Sequence, residues 1–459
     1  MIRLFNAYFP MRTLLLTLTE AILVALGFLL AVVLWAGTAA DANIYLIYEN
    51  GVGRIGIVVA VFLVLMYYFD LYNTIIIRNR REVATRLIGV LGCTFVALAA
   101  LYYTFPETSL GGSALWIGVV IVAIAVPAWR SFFFALSSSE RFAERTIIFG
   151  DGPLAGTLID EIASRPELGV RVVGYVGEQV QAASIRTVEM AELADAVKQQ
   201  GVHRIIVTMG DRRGKLPVGV LLKLKASGVH IQDGPEYYES ATGKIPLDAL
   251  RLSWLLFSPG FHVRAGLLLY KRMLSLVLGS VAILLTAPLM LLIVIAIRLD
   301  SKGPALFSQK RVGENGHLFT LYKFRSMYDG SDKEHQRPAE QDDPRVTRVG
   351  RWLRRARLDE LPQLFNIVAG DMAFVGPRPF VPEQEEEYAA KIPFYRERWL
   401  VKPGATGWAQ INRGYNATVD DNREKLAYDL FYLKNMSVGL DLFILFATAK
   451  ILLLGRGGR

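Results

Sequence analysis

Met273 to Ile297 reads MLSLVLGSVAILLTAPLMLLIVIAI, 25 consecutive positions without a charged side chain. Length alone would carry such a run across a bilayer. Pro288 lies inside it, however, and cations bracket it: Arg264, Lys271 and Arg272 come before, Arg298, Lys302, Lys310 and Arg311 after. Lysine and arginine favour the cytoplasmic side of a membrane, so both ends read as cytoplasmic. The expectation is a re-entrant helical hairpin that dips into one leaflet, with Pro288 free to kink it, and then returns. A plain fifth span is the other reading, and it would put everything after Ile297 outside the cell.

Upstream, the apolar stretches Leu14 to Ala36, Ile55 to Phe69, Leu87 to Tyr103 and Leu115 to Trp129 are each near spanning length. They read as a four-helix transmembrane bundle. The second connection carries Arg78, Arg80, Arg81 and Arg86, and Arg130, Arg141 and Arg145 follow the fourth stretch, whereas the outer loops hold little beyond Arg54. Both ends of the bundle are therefore expected in the cytoplasm. Small residues from Gly37 to Ala40 imitate a signal-peptide cleavage site, but the apolar core is long and three further stretches follow, so an uncleaved anchor is expected. Cys93 is the single cysteine, which excludes an intrachain disulfide.

The 459-residue chain is 53% hydrophobic, with a mean hydropathy of +0.33, and these values place it among multi-domain membrane proteins. Its net charge of +9 does not imply nucleic acid. The cations gather at membrane flanks and around one acidic motif, no zinc-finger or RNA-binding pattern occurs, and lipid headgroups or phosphorylated substrates suit them better. From Arg145 to Ala249 the chain turns soluble. TIIFGDGPLAGTLIDEI (Thr146 to Ile162) reads as a strand, a loop with Gly150, Gly152 and Gly156, and a helix; Val170 to Glu178 and His203 to Gly210 supply further strands. This is a Rossmann-like α/β module. Its GxGxxxG spacing departs from the dinucleotide fingerprint, so a nucleotide loop and a purely structural module both stay open.

Downstream lies a small α+β domain of short elements and glycine- and proline-rich loops. Its centre is LDELPQ (Leu358 to Gln363), where Asp359 and Glu360 follow an arginine-rich helical stretch with apolar Val349, Trp352, Leu353 and Ala356. Asp359 continues that apolar face. Pro362 lacks an N–H and would leave the Leu358 carbonyl without its helical donor, so the helix should break or restart there, with Gly370 as its stop. KFRSM (Lys323 to Met327), DPRVTRVG (Asp343 to Gly350), GDMAFVGPRPF (Gly370 to Phe380) and KPGATGWAQIN (Lys402 to Asn412) add guanidinium groups and tight loops, the means of holding phosphate oxygens. Gly303, Gly313, Gly376 and Gly404 are expected in turns. The histidines His203, His230, His262, His317 and His335 are scattered, which argues against a zinc centre. Near the end, Leu440 to Leu454 reads as an interfacial helix or a buried core helix.

From about Tyr270 to Arg459, KRVG, KFRSM, LDELPQ, VGPRP and KPGATGW in this order resemble the polyprenyl-phosphate hexose-1-phosphate transferases, bacterial enzymes that initiate exopolysaccharide and O-antigen repeat units on a lipid carrier. The four-helix bundle and Rossmann-like module resemble the large, multi-domain members. What the resemblance implies is a two-step phosphoryl transfer at the inner membrane, with the catalytic domain cytoplasmic. Asp359 would be the nucleophile, Glu360 would help hold Mg²⁺, and a UDP-sugar and undecaprenyl phosphate would be the substrates. Lys310, Arg311, Lys323, Arg325, Arg345 and Arg378 are the candidates for neutralising substrate phosphates; Pro377 and Pro379 restrict the backbone of Arg378 and so aim it. Arg357 stands where many relatives carry a small hydroxyl residue.

On this reading the divisions are 1–140 for the bundle, 141–250 for the α/β module, 251–300 for the linker and re-entrant helix, and 301–459 for the transferase domain. A homodimer through the membrane helices is an open expectation. Two other functions stay open: a membrane scaffold or sensor for polysaccharide assembly, and a nucleotide-sugar dehydratase or epimerase. The second lacks a Tyr-x-x-x-Lys pair between Thr146 and Ala249.

Overall fold

A computed structural model describes residues 1–73, 80–137, 142–177, 185–210, 216–250, 258, 260–261, 265–331, 343–413 and 418–454. Arg78, Arg141, His262, Arg264, His335 and Arg459 lie outside the described residues. The chain groups into two compact units, Tyr8–Tyr237 with Met1–Ile2, and Tyr238–Arg459 with Arg3–Ala7.

The first unit opens with α1 (Met11–Ala36), α2 (Ala39–Tyr48), α3 (Gly51–Tyr68), α4 (Arg80–Thr104) and α5 (Gly112–Ser137). α1, α3, α4 and α5 are long and apolar enough to cross a membrane. They pack α1 on α5, α3 on α1 and on α4, around a common core that includes Val24, Phe28, Val58, Phe62, Val90 and Val122. α2 was not expected. The segment lies in the connection between the first two apolar stretches, and the Thr38 hydroxyl accepts from the Asp41 N–H and caps the helix.

Inside the core a charge pair is fully buried. Arg130 donates from Nε to Glu20 Oε1 at 2.5 Å, from Nη2 to Glu20 Oε2 at 3.0 Å and from Nη1 to the Leu71 carbonyl at 2.9 Å. A lone charge among these side chains would be prohibitive, and the fork satisfies both partners.

The α/β part comprises β1 (Glu144–Phe149), α6 (Pro153–Ser164), β2 (Val170–Val176), β3 (Arg186–Thr187), α7 (Leu193–Gln200), β4 (Arg204–Val207), α8 (Val218–Ala226) and β5 (His230–Asp233). The strands are parallel in the order β3-β2-β1-β4-β5. Residues Thr146 to Phe149 of β1 are buried without alternation, as a strand covered on both faces requires. Arg12, at the start of α1, donates to the carbonyls of Ser137, Phe142 and Pro166 and so ties the helices to this sheet.

The boundary between units falls inside α9 (Gly234–Thr242). The second unit then contains α10 (Ala265–Asp300), the antiparallel hairpin β6 (Leu306–Val312) and β7 (Leu318–Phe324), α11 (Arg348–Arg355), α12 (Gln363–Ala369), β8 (Ala373–Val375), α13 (Pro382–Lys391), β9 (Gly404–Thr406), α14 (Trp408–Asn412), α15 (Val419–Asn435) and α16 (Val438–Leu453). α10 is one helix of 36 residues with Pro288 inside it, long and apolar enough to cross a membrane. One proline removes one hydrogen bond, and packing on either side keeps the helix whole. Its first half lies on α12, where Gly279 faces Val368, and its second half places Met290, Ile293 and Ile297 in a core with Phe324 and Leu353.

Lys271 and Arg272, which precede the apolar run, are engaged by the second unit. Lys271 donates to the Val375 carbonyl at 3.0 Å and to Asp441 at 2.9 Å. Arg272 donates to the carbonyls of Ile367 and Val368, the end of α12. α16 buries Leu440, Ile444 and Ala447 and exposes Leu442, Phe446 and Leu453, so it has one core face and one open apolar face.

Candidate active site

Thr347 caps α11 by accepting from the Gly350 N–H at 2.9 Å. The helix ends at Arg355, seven residues before the break expected at Pro362. The cause is Arg357, whose backbone is left-handed at φ 56°, ψ 19°. A 3₁₀ turn, Leu358–Glu360, follows, and the Leu358 carbonyl is not left open, because it accepts from the Leu361 N–H at 3.3 Å. Pro362 then caps α12, and Gly370, at φ 99°, stops it. The apolar face expected on α11 is only partly buried: Leu353 is enclosed, whereas Trp352 is 65% exposed.

The turn presents two adjacent carboxylates in different surroundings. Glu360 accepts from Lys323 at 3.1 Å, from Arg378 at 3.4 Å and from Arg357 at 3.5 Å. Burial alone would push its pKa up, yet these cations outweigh burial and hold it well below the usual glutamate range. Asp359 is half-buried and makes no hydrogen bond or ion pair among the described residues. Burial and the charge of Glu360 raise its pKa, against the pull of Lys323, Arg354 and Arg357. Environments that drive two carboxyl groups apart divide acid–base or nucleophilic roles between them.

A shallow pocket is lined by Arg311, Lys323, Gln363, Arg378, Pro379 and Gly404 among others, and Lys323 and Arg378 connect it to Glu360. Arg311 is held at two points, donating to Gln309 Oε1 at 2.6 Å and to the Pro379 carbonyl at 3.3 Å, and its buried Nε has no partner among the described residues. Burial and Arg378 lower its pKa to about 10. The backbone under this wall is a parallel pairing of β8 with β9, Ala373 opposite Gly404 and Val375 opposite Thr406. A Cβ at Gly376 would lie 2.4 Å from the Lys402 carbonyl oxygen, and one at Gly404 would lie 2.1 Å from the Gly376 nitrogen. These two glycines permit contact between the VGPRP and KPGATG segments, a correction to their expected use in turns. Arg398, which carried no sequence signal, is buried against Asp429 at 2.6 Å and donates to the Arg378 carbonyl at 3.3 Å.

Of the candidate cations, the structure brings Arg311, Lys323 and Arg378 together and places three elsewhere. Lys310 follows the strand alternation to the exposed face of β6, opposite to Arg311. Arg325 is spent on the end of α10, donating to the Ser301 carbonyl and hydroxyl at 2.8 Å and to the Lys302 carbonyl at 2.9 Å. Arg345 forks onto Asp343 at 3.0 and 2.6 Å, and this contact, against burial, brings Asp343 down to about 2. No cluster of three or more His, Cys, Asp or Glu suited to a metal ion occurs among the described residues.

In the α/β part, Gly150 (φ 111°) and Gly152 pass against Met209 and the Thr208 carbonyl, and Gly156 has open space beside it. The loop does not suit a diphosphate. Asp151 sits between the first two glycines and accepts from the Tyr175 hydroxyl, Pro153 brings no N–H to the start of α6, and the Ala155 N–H already donates to the Gly152 carbonyl.

A glutamate held among three cations, a less committed aspartate beside it and a cation-lined pocket are an arrangement suited to phosphoryl chemistry. A family model described as bacterial sugar transferase matches residues 267–455, and a model described as CoA-binding domain matches 67–233. The loop of the α/β part does not fit the diphosphate of coenzyme A. A UDP-N-acetylgalactosamine-undecaprenyl-phosphate N-acetylgalactosaminephosphotransferase of Aeromonas hydrophila is 42% identical over 48% of this chain and 52% of its own length. An undecaprenyl-phosphate glucose phosphotransferase of Komagataeibacter xylinus is 36% identical, covering 68% and 59%. A UDP-glucose:undecaprenyl-phosphate glucose-1-phosphate transferase of Klebsiella pneumoniae is 31% identical, covering 73% and 72%. The chain thus spans between half and three-fifths of the first two relatives and nearly three-quarters of the third. It belongs to the bacterial sugar transferase family, the polyprenyl-phosphate hexose-1-phosphate transferases.

Proposed function

We propose that this chain transfers a hexose-1-phosphate from a UDP-sugar to undecaprenyl phosphate through a covalent aspartyl phosphate. The observation that carries the reading is the unequal acid pair, in which three cations occupy Glu360 while Asp359 keeps its carboxylate uncommitted among the described residues. An Asp359 oxygen attacks the sugar-bearing phosphorus; the new O–P bond forms as the diphosphate bridge breaks, and UMP leaves with the bridging electrons. A phosphate oxygen of the carrier then attacks the same phosphorus, the aspartyl bond breaks, and the carboxylate returns. Arg311, Lys323 and Arg378 neutralise the phosphates during both steps.

Magnesium suits this donor set, since it takes one or two carboxylates and completes its shell with phosphate and water. Glu360, kept ionised by its neighbours, would hold the ion with Asp359 beside it. Bound there, magnesium would offset repulsion between the anionic nucleophile and the diphosphate.

In this reading α1, α3, α4 and α5 form a transmembrane bundle in the bacterial inner membrane, the parallel sheet is a Rossmann-like module, and the second unit works at the cytoplasmic face. α10 is seated in one leaflet, because its two halves both pack on the unit that holds the site while Leu284, Leu285, Leu291 and Leu292 stay exposed. That seat keeps the site at headgroup level, where the carrier's phosphate lies; extracting the carrier instead would cost roughly 0.8 kcal/mol per CH₂. The test is UMP release by detergent-purified protein from a panel of UDP-sugars, with and without undecaprenyl phosphate and Mg²⁺. Carrier-dependent release abolished in Asp359→Asn supports the reading. Release that survives the substitution, or no release from any donor, overturns it.

A further inference from the structure

We infer that Arg357 is a positioning residue of the transferase site, held in a strained backbone so that its side chain can brace Glu360; the inference rests on the transferase reading above. Arg357 ends α11 with φ 56°, ψ 19°, a conformation that disfavours any residue with a Cβ and that glycine adopts freely. A helix that needed only a stop would be served better by glycine at this position, as α12 is by Gly370. The side chain is therefore the part to explain.

It has a task within one turn. Arg357 Nη1 lies 3.5 Å from Glu360 Oε2, while Lys323 and Arg378 approach the other oxygen, Oε1, at 3.1 and 3.4 Å. Arg357 is thus the one of these three cations that meets Glu360 from the Oε2 side. Its backbone belongs to the same turn, since the Glu360 N–H donates to the Arg357 carbonyl at 3.3 Å and the Arg357 N–H donates to the Arg354 carbonyl at 3.2 Å. With Oε2 braced, Glu360 keeps Oε1 directed at Lys323 and Arg378, the two cations that also line the pocket. Strain kept at a residue that touches a site's central carboxylate is the pattern of backbone strain retained for function.

A purely structural role and a positioning role predict opposite results for one substitution. Arg357→Gly relieves the backbone and removes the brace; Arg357→Lys keeps both the charge and the strain. Full-length protein in detergent is compared for its unfolding midpoint and for initial rates of UMP release with a responsive donor. The Gly variant is expected to unfold about 2–4 °C higher than wild type. Its kcat should fall roughly tenfold, the size of one charge-assisted hydrogen bond, with a smaller change in KM. The Lys variant should recover most of kcat without the rise in midpoint. A Gly variant with undiminished kcat overturns the inference while leaving the transferase reading intact, and so does one that loses activity together with a lowered midpoint. Wild-type protein that releases no UMP from any donor overturns the transferase reading and the role of Arg357 with it.

Discussion

Glu360→Gln removes one negative charge from the middle of three cations. It breaks the ion pairs at 3.1, 3.4 and 3.5 Å to Lys323, Arg378 and Arg357, with the glutamate side chain 19% exposed. Fully buried pairs cost about 3–5 kcal/mol when one partner is removed, and partial exposure here brings the expectation to about 2–3 kcal/mol. For a unit of this size that is a fall of about 4–12 °C in the unfolding midpoint. The same change leaves the cations of the pocket less neutralised, so inorganic diphosphate should bind more tightly and with a steeper dependence on salt.

The acid side supplies a further sign. Glu360 has a depressed pKa in the folded chain, so its stabilisation is present above the ordinary glutamate value of 4.5 and is lost as pH falls below it. The wild-type midpoint should therefore decline more steeply than that of the variant below that value. Thermal unfolding in detergent across pH, with diphosphate titrated by calorimetry, measures all three effects. An unchanged midpoint together with unchanged diphosphate affinity would refute the view of Glu360 as the centre that gathers these cations.

The raised pKa of Asp359 sets the acid limb of the rate: a nucleophile must be ionised, so UMP release should rise with pH through a value above the ordinary 3.8 of aspartate, as a pH–rate profile would read. Lys310 and Arg311 are neighbours in sequence on opposite faces of β6; Lys310→Ala should leave the donor KM within about twofold, while Arg311→Ala should raise it by roughly tenfold or more. In the helices of the first unit, Arg130→Leu strands Glu20 and should cost about 3–5 kcal/mol, seen as loss of folded protein. Replacing both partners by leucine should restore much of the yield in the same expression assay.

The elements that follow from local rules were legible in the sequence. The four early apolar stretches are helices, the glycine loop after a buried strand opens a parallel sheet, and Pro362 and Gly370 bound α12. The departures arise where a distant contact outweighs a local signal. Pro288 does not break α10 because both halves pack on the same unit. α11 stops early because Arg357 turns left-handed, a conformation no arginine announces. Among the cations, strand alternation could have separated Lys310 from Arg311. Nothing nearby in the chain reveals that Arg325 closes the end of α10, whereas the partner that takes Arg345 is Asp343, two residues ahead in the same motif. Arg398 supports the Arg378 loop from a segment with no motif at all.

α10 also bears on how such a protein can be engineered. A soluble fragment that begins after Asp300 would discard more than a greasy anchor. It would strip Lys271 from the Val375 carbonyl, just ahead of Gly376 and Arg378, and Arg272 from the carbonyls that end α12. The apolar helix is part of the wall behind the candidate site, so solubility is better sought by replacing its exposed leucines with polar residues than by deleting it.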